Sequence, residues 1–83
     1  MEILDYLARL DQLSALINQT RPDYQQDLKK MLANLRKTYL RLQVAAIECR
    51  RLHTVTASYT SLALQFDAEY SEIEQMTTLA LLI

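Results

Sequence analysis

Leu28-Lys29-Lys30-Met31-Leu32-Ala33-Asn34-Leu35-Arg36-Lys37-Thr38-Tyr39-Leu40-Arg41-Leu42-Gln43-Val44-Ala45-Ala46-Ile47-Glu48-Cys49-Arg50-Arg51-Leu52 is the stretch that decides the fold. Leu28, Leu35, Leu42 and Cys49 recur every seven residues, and Met31, Thr38, Ala45 and Leu52 fall between them. That is a heptad seam, which one long helix lays along one of its faces. At about 100° per residue, Leu40, Val44 and Ile47 fall on the opposite face, at about 140–200° from Leu42. The first half of that back stripe is mostly polar, with Gln26, Lys29, Ala33 and Lys37. One apolar stripe builds a core. A second, confined to half of the helix, calls for another surface to cover it.

The flanking segments supply that core. Ile3, Leu7, Leu10, Leu13 or Ser14, and Ile17 recur at spacings of three and four, and Tyr6 and Leu16 widen the stripe. Glu2 and Asp5 stand in the first turn, where the helix dipole favours anions. Asn18-Gln19-Thr20-Arg21-Pro22 breaks the pattern: Arg21 precedes a proline and is biased away from helix, whereas Pro22 suits a first helical turn. Thr20 has capping-box spacing to Asp23, and Arg21 is the alternative cap. After His53, the run Thr54-Val55-Thr56-Ala57-Ser58 is rich in poor helix formers, and a hydroxyl at Thr56 or Ser58 can start the next helix. Tyr59, Leu62, Phe66, Tyr70, Ile73, Met76 and Ala80 then form a third seam. The expectation is an all-α domain over 1–83. Its helices span about 2–18, 22–53 and 57–81, a short first helix against a long antiparallel hairpin that resembles a coiled coil.

Charge follows the same plan. Lys29 to Arg51 holds seven basic residues and one acid, Glu48, whereas Thr54 to Ile83 holds Asp67, Glu69, Glu72, Glu74 and no basic residue. Folding back near residue 55 brings Arg36, Lys37 and Arg41 alongside Glu69, Glu72 and Glu74. Such exposed pairs are worth only about 0–1 kcal/mol each, but they reject wrong registers and wrong partners. A turn near residue 20 sets Ile3 level with about Thr38, so the first helix cannot reach the Leu40, Val44 and Ile47 stripe. Burying three such side chains is worth roughly 1.5–3 kcal/mol each. Leu40, Val44, Ile47 and Arg51 are therefore the candidate partner-binding residues, Arg51 contributing its aliphatic stem. A steeply tilted first helix that covers the stripe itself is the alternative.

Composition bounds the function classes. The chain has 83 residues, no glycine, one proline, one cysteine, one histidine and a formal net charge of −1. Zero glycine removes the usual material of phosphate-cradling loops and tight β-turns. The charge balance offers no reason to expect nucleic acid or an anionic membrane as partner. A single cysteine makes no internal disulfide and suits a reducing, cytoplasmic setting. The opening Met1-Glu2-Ile3-Leu4-Asp5 is acidic where a secretory signal would be basic, and Leu79-Ala80-Leu81-Leu82-Ile83 is far short of the roughly 20 residues of a membrane span. Cys49 and His53 have the i, i+4 spacing of two metal ligands, whereas a structural zinc site wants four. No catalytic, metal or cofactor site is expected, and Glu69, Glu72 and Glu74 read as a solvated, salt-bridged face rather than as acid–base groups.

The long leucine- and arginine-rich helix, from Leu32-Ala33-Asn34-Leu35-Arg36-Lys37 through Ile47-Glu48-Cys49-Arg50-Arg51-Leu52, precedes a final antiparallel helix. This plan resembles the small helical co-chaperones of type III secretion needle subunits, the YscE/EscE/SsaE-like group. The resemblance covers most of the chain as a pattern and assigns no individual residue a role. It implies a cytoplasmic, non-enzymatic chaperone that pairs with a larger helical-repeat chaperone to keep a polymerising needle subunit soluble. The residues themselves equally allow a self-associating homodimer, either a structural subunit or a regulatory adaptor, closed by the exposed stripe.

Overall fold

A computed structural model describes the backbone of residues 3–83 and the side chains from residue 4 onward. The fold is all-α: α1 spans Ile3–Asn18, α2 Pro22–Leu52 and α3 Ala57–Leu82. The expected places of Glu2 in the first turn and of the Ile3 side chain in the stripe lie outside the described residues. At 1.5 Å per residue the 31 residues of α2 extend about 46 Å, which matches the 47 Å long axis of the molecule. The 16 residues of α1 reach about half as far.

Each boundary has a local cause. Arg21 is extended (φ −64°, ψ 146°) because Pro22 follows it, and it stands at the N-cap of α2 with no side-chain bond to the helix. The Arg21 carbonyl closes the first turn, accepting from the Tyr24 N–H (3.0 Å) and the Gln25 N–H (3.2 Å), while the Gln25 side-chain amide donates back to the carbonyls of Asn18 (3.1 Å) and Thr20 (2.7 Å). Those carbonyls are otherwise orphaned at the end of α1. At the other end of α2, the His53 N–H donates to Arg50 O (3.3 Å) and the Thr54 N–H to Cys49 O (3.1 Å). This is a Schellman stop, with His53 in the left-handed conformation (φ 55°) where glycine is the usual residue. The Thr56 hydroxyl accepts from the Tyr59 N–H at 3.2 Å and caps α3.

The core explains why α2 carries more apolar positions than one seam needs. Leu28, Leu35, Thr38, Leu42, Ala45 and Cys49 are buried along the line that meets α3, which contributes Tyr59, Phe66, Ile73, Thr77 and Ala80. Leu32 and Tyr39, offset from that line by roughly a quarter turn, are buried with Leu10, Leu13 and Ile17 of α1. The main cluster thus involves all three helices. A second cluster of Leu42, Ala45, Cys49 and Tyr59 holds the hairpin tip, with Tyr6 of α1 packed at its margin.

Several seam positions differ from expectation. Leu7, Leu52 and Met76 are exposed, and Thr77 takes the buried place beside Met76. Thr77 is tolerated there because its hydroxyl donates to Ile73 O at 2.7 Å. In α1 the ring of Tyr6, rather than Leu7, turns inward and meets Phe66 edge to face, with centroids 4.9 Å apart.

Candidate apolar docking surface on α2

Beyond the reach of α1, the back of α2 is bare. Leu40, Val44 and Ile47 are 58%, 68% and 65% exposed, whereas Leu42 and Ala45 between them, and Cys49 just beyond, are buried on the α3 side. The helical phase is the reason. Leu42 and Ala45 point at α3, so residues about 160° away must point to the far side, where the described chain has no helix. The sequence-predicted residues are therefore brought to one surface.

The stripe has relief. Val44 and Ile47 rise from an open groove of about 300 Å³ whose other walls are Gln43, Ala46 and Arg50. On its other flank Val44 borders a broader groove of about 470 Å³, between the stems of Arg41 and Glu48 and the exposed Leu52. A third, of about 290 Å³, runs under the turn between Arg50, His53 and Val55. Ridges of branched side chains between shallow grooves are the surface into which a second helix packs.

Arg51 lies at the polar rim, as expected, but its guanidinium is engaged. It makes a bidentate pair with Glu48 one turn earlier. The bond to Arg51 holds the Glu48 carboxyl below the ordinary carboxylate range and raises Arg51 in turn. The remaining charges of the hairpin do not pair as the charge pattern suggests. Among the described residues the ion pairs are Arg9–Asp67 and Arg51–Glu48. Glu69 instead accepts a hydrogen bond from the buried Thr38 hydroxyl, and Arg36, Lys37, Arg41, Arg50, Glu72 and Glu74 have no ionic partner.

The chemistry-bearing residues stand apart from one another. The buried Cys49 sulfur accepts from the Thr56 N–H at 3.4 Å and stitches the turn, while His53 is exposed at the helix end. Among the described residues there is no group of three or more His, Cys, Asp or Glu that could hold a metal ion, and no helix is long and apolar enough to cross a membrane. Burial pushes the Tyr59 hydroxyl up to about 12, helped by the neighbouring Tyr6 and Cys49. Tyr70 is also raised by burial and by Glu74, against the opposing effect of Arg9.

Two features escape sequence reasoning. One is a latch between α1 and α3. The Arg9 guanidinium donates to Asp67 at 2.8 Å and lies 5.3 Å and 5.8 Å from the ring centroids of Tyr6 and Tyr70. The other is that Leu4 and Leu7 are exposed. By helical phase they lie on the edge of α1 away from Arg9, and so away from α3. The amphipathic period of α1 held the signal for neither, because both depend on which side of α1 each neighbour takes. No protein-family model, curated protein or solved structure matches the chain.

Proposed function

We propose that this chain is a non-enzymatic helical protein-binding module. The α2 face of Leu40, Val44 and Ile47, rimmed by Arg51, receives an amphipathic helix of a protein partner. The observation that carries this reading is the exposure of three branched side chains in a row on a helix whose opposite face is fully packed. Their combined burial is worth roughly 4.5–9 kcal/mol before the entropy of association is subtracted, a gain of the same order as that cost, so the rim contacts decide the net affinity. The bare charges of Lys37, Arg41 and Arg50 around the stripe favour a partner helix with acidic flanks.

The finer reading rests on the resemblance in plan. The chain acts as a type III secretion co-chaperone that docks on a larger helical-repeat chaperone, and the two keep a needle subunit from polymerising. The test is co-expression with such a chaperone and its needle subunit, followed by co-purification at defined stoichiometry. A stable complex that Val44→Glu abolishes while helicity persists is the expected result. Equal recovery of wild type and Val44→Glu would remove the α2 face from the reading.

A further inference from the structure

The outer side of α3 forms a second bare face, opposite its buried seam. From Leu64 through Ala68, Ser71, Gln75 and Thr78 to Leu82 the spacing alternates four and three, every position is exposed and none is charged. Leu64, Leu79 and Leu82 are 67%, 61% and 79% exposed. The only charges of α3 are four acids, and Glu72 and Glu74 flank this line without an ionic partner among the described residues. The back of α2 carries the matching pattern with the opposite sign. Lys37, Leu40, Val44, Ile47 and Arg51 repeat at three and four, and Arg36, Arg41 and Arg50 beside them have no ionic partner among the described residues.

These two faces point away from each other, because each helix turns its opposite side to its partner in the hairpin. One molecule therefore cannot bring them together. We propose that a second copy of the chain does: the α3 outer face of one copy docks on the α2 back of the next, head to tail, and continues the antiparallel alternation of helices. The hairpin itself supplies the register, since Thr38 meets Glu69 and Cys49 meets Thr56 across it. Carried across to the next copy, that register sets Leu40 within a turn of Ala68 and Val44 within a turn of Leu64. Lys37 then stands within a residue of Ser71, on the line that Glu72 and Glu74 flank by helical phase. Leu40 faces the small Ala68 where the helices must approach, Val44 packs beside Leu64, and the basic rim meets the acidic rim. The contact is heterologous, so it leaves one free face of each kind at the two ends and lets the assembly grow past a dimer. The inference rests on the reading of the α2 back as a docking surface.

The test uses two variants that each block one face: Val44→Glu, which sets an acid against the acidic rim, and Leu64→Arg, which sets a cation against the basic rim. Sedimentation of the full chain over a wide concentration range is expected to show wild-type mass rising past the dimer and falling back with added salt. Each variant alone is expected to stay monomeric, with self-affinity reduced roughly a hundredfold or more, as for an unpaired charge in an interface. An equimolar mixture is expected to form a dimer and stop, because each variant retains the face the other lacks. Circular dichroism verifies folding, and Ile47→Glu with Ala68→Arg replaces either variant that loses helicity. A wild type that is monomeric throughout overturns the proposal. A closed dimer that Leu64→Arg leaves intact overturns the head-to-tail arrangement and spares the α2 reading. Association that Val44→Glu leaves unchanged overturns both.

Discussion

Arg9 of α1 donates to Asp67 of α3 at 2.8 Å, across 58 residues of sequence, and its guanidinium lies within 6 Å of the centroids of both the Tyr6 and Tyr70 rings. The contact sits beside the Tyr6–Phe66 edge-to-face pair and is where the short helix is tied to the last one. Both charged groups are substantially exposed, so the ion pair by itself is a weak tie.

The two halves of this latch are expected to separate in a double-mutant cycle. Asp67→Ala removes the ion pair and is expected to cost under about 1 kcal/mol. Arg9→Ala also removes the contacts with two aromatic faces and is expected to cost about 1 kcal/mol more. Urea denaturation of both single variants and the double variant measures it. Equal costs for the two single variants would assign the latch to charge alone.

Leu42 and Val44 are two residues apart and on opposite sides of α2, one fully buried and one bare. Leu42→Glu is expected to unfold the chain, because an unpaired buried charge costs about 3–5 kcal/mol in a fold of this size. Val44→Glu is expected to change stability by no more than about 0.5 kcal/mol. Thermal melts followed by circular dichroism at low concentration compare them, and unfolding by both would place Val44 in the core.

Tyr59 links stability to alkaline pH. Its hydroxyl is held neutral by burial up to about 12 in the folded chain, against about 10 when unfolded. Because the folded value is the higher one, the contribution is complete below pH 10 and is lost as pH rises toward 12. The loss of helicity is expected to fall in that window, together with the late part of the tyrosinate absorbance rise. Tyr59→Phe is expected to move the alkaline transition upward, and an unchanged transition would put its cause elsewhere.

His53 in the left-handed conformation is a local cost that the turn bears. A non-glycine residue there gives up roughly 1–2 kcal/mol, partly recovered because glycine has more freedom to lose on folding. His53→Gly is therefore expected to raise stability by about 0.5–1 kcal/mol in equilibrium denaturation. A destabilised variant would mean that the imidazole makes a favourable contact at the helix end.

The helices and the hairpin were legible in the sequence because their signals are local and redundant: a seven-residue repeat in α2, a proline after Arg21, a hydroxyl at Thr56. The bare stripe was legible for the same reason, since the phase of Val44 relative to Leu42 is a property of one helix. What escaped depends on three bodies. Leu32 and Tyr39 are buried, and Leu7 is not, because α1 settles to one side of the line between α2 and α3, which no single-helix period encodes. Thr77 displaces Met76 from the core by bonding to its own helix, a local option open to any threonine. The expected ion pairs along the hairpin failed to form because Thr38 takes Glu69 and the other side chains reach outward.

The shortness of α1 divides the molecule into a thick end and a thin one. Around Leu32 and Ile73 the amide groups lie within three packed helices; from Ala45 to Ala63 they are covered mainly by two, with Tyr6, among the described residues of α1, at the margin. Deuterium is therefore expected to enter the hairpin tip through partial openings well below the global unfolding energy, while the thick end exchanges only when the whole chain opens. The candidate docking stripe straddles that soft end. Whatever helix settles on it supplies the missing third layer, so an occupied stripe is expected to slow exchange on the far side of α2 and in the first turns of α3, at amides the visitor never touches.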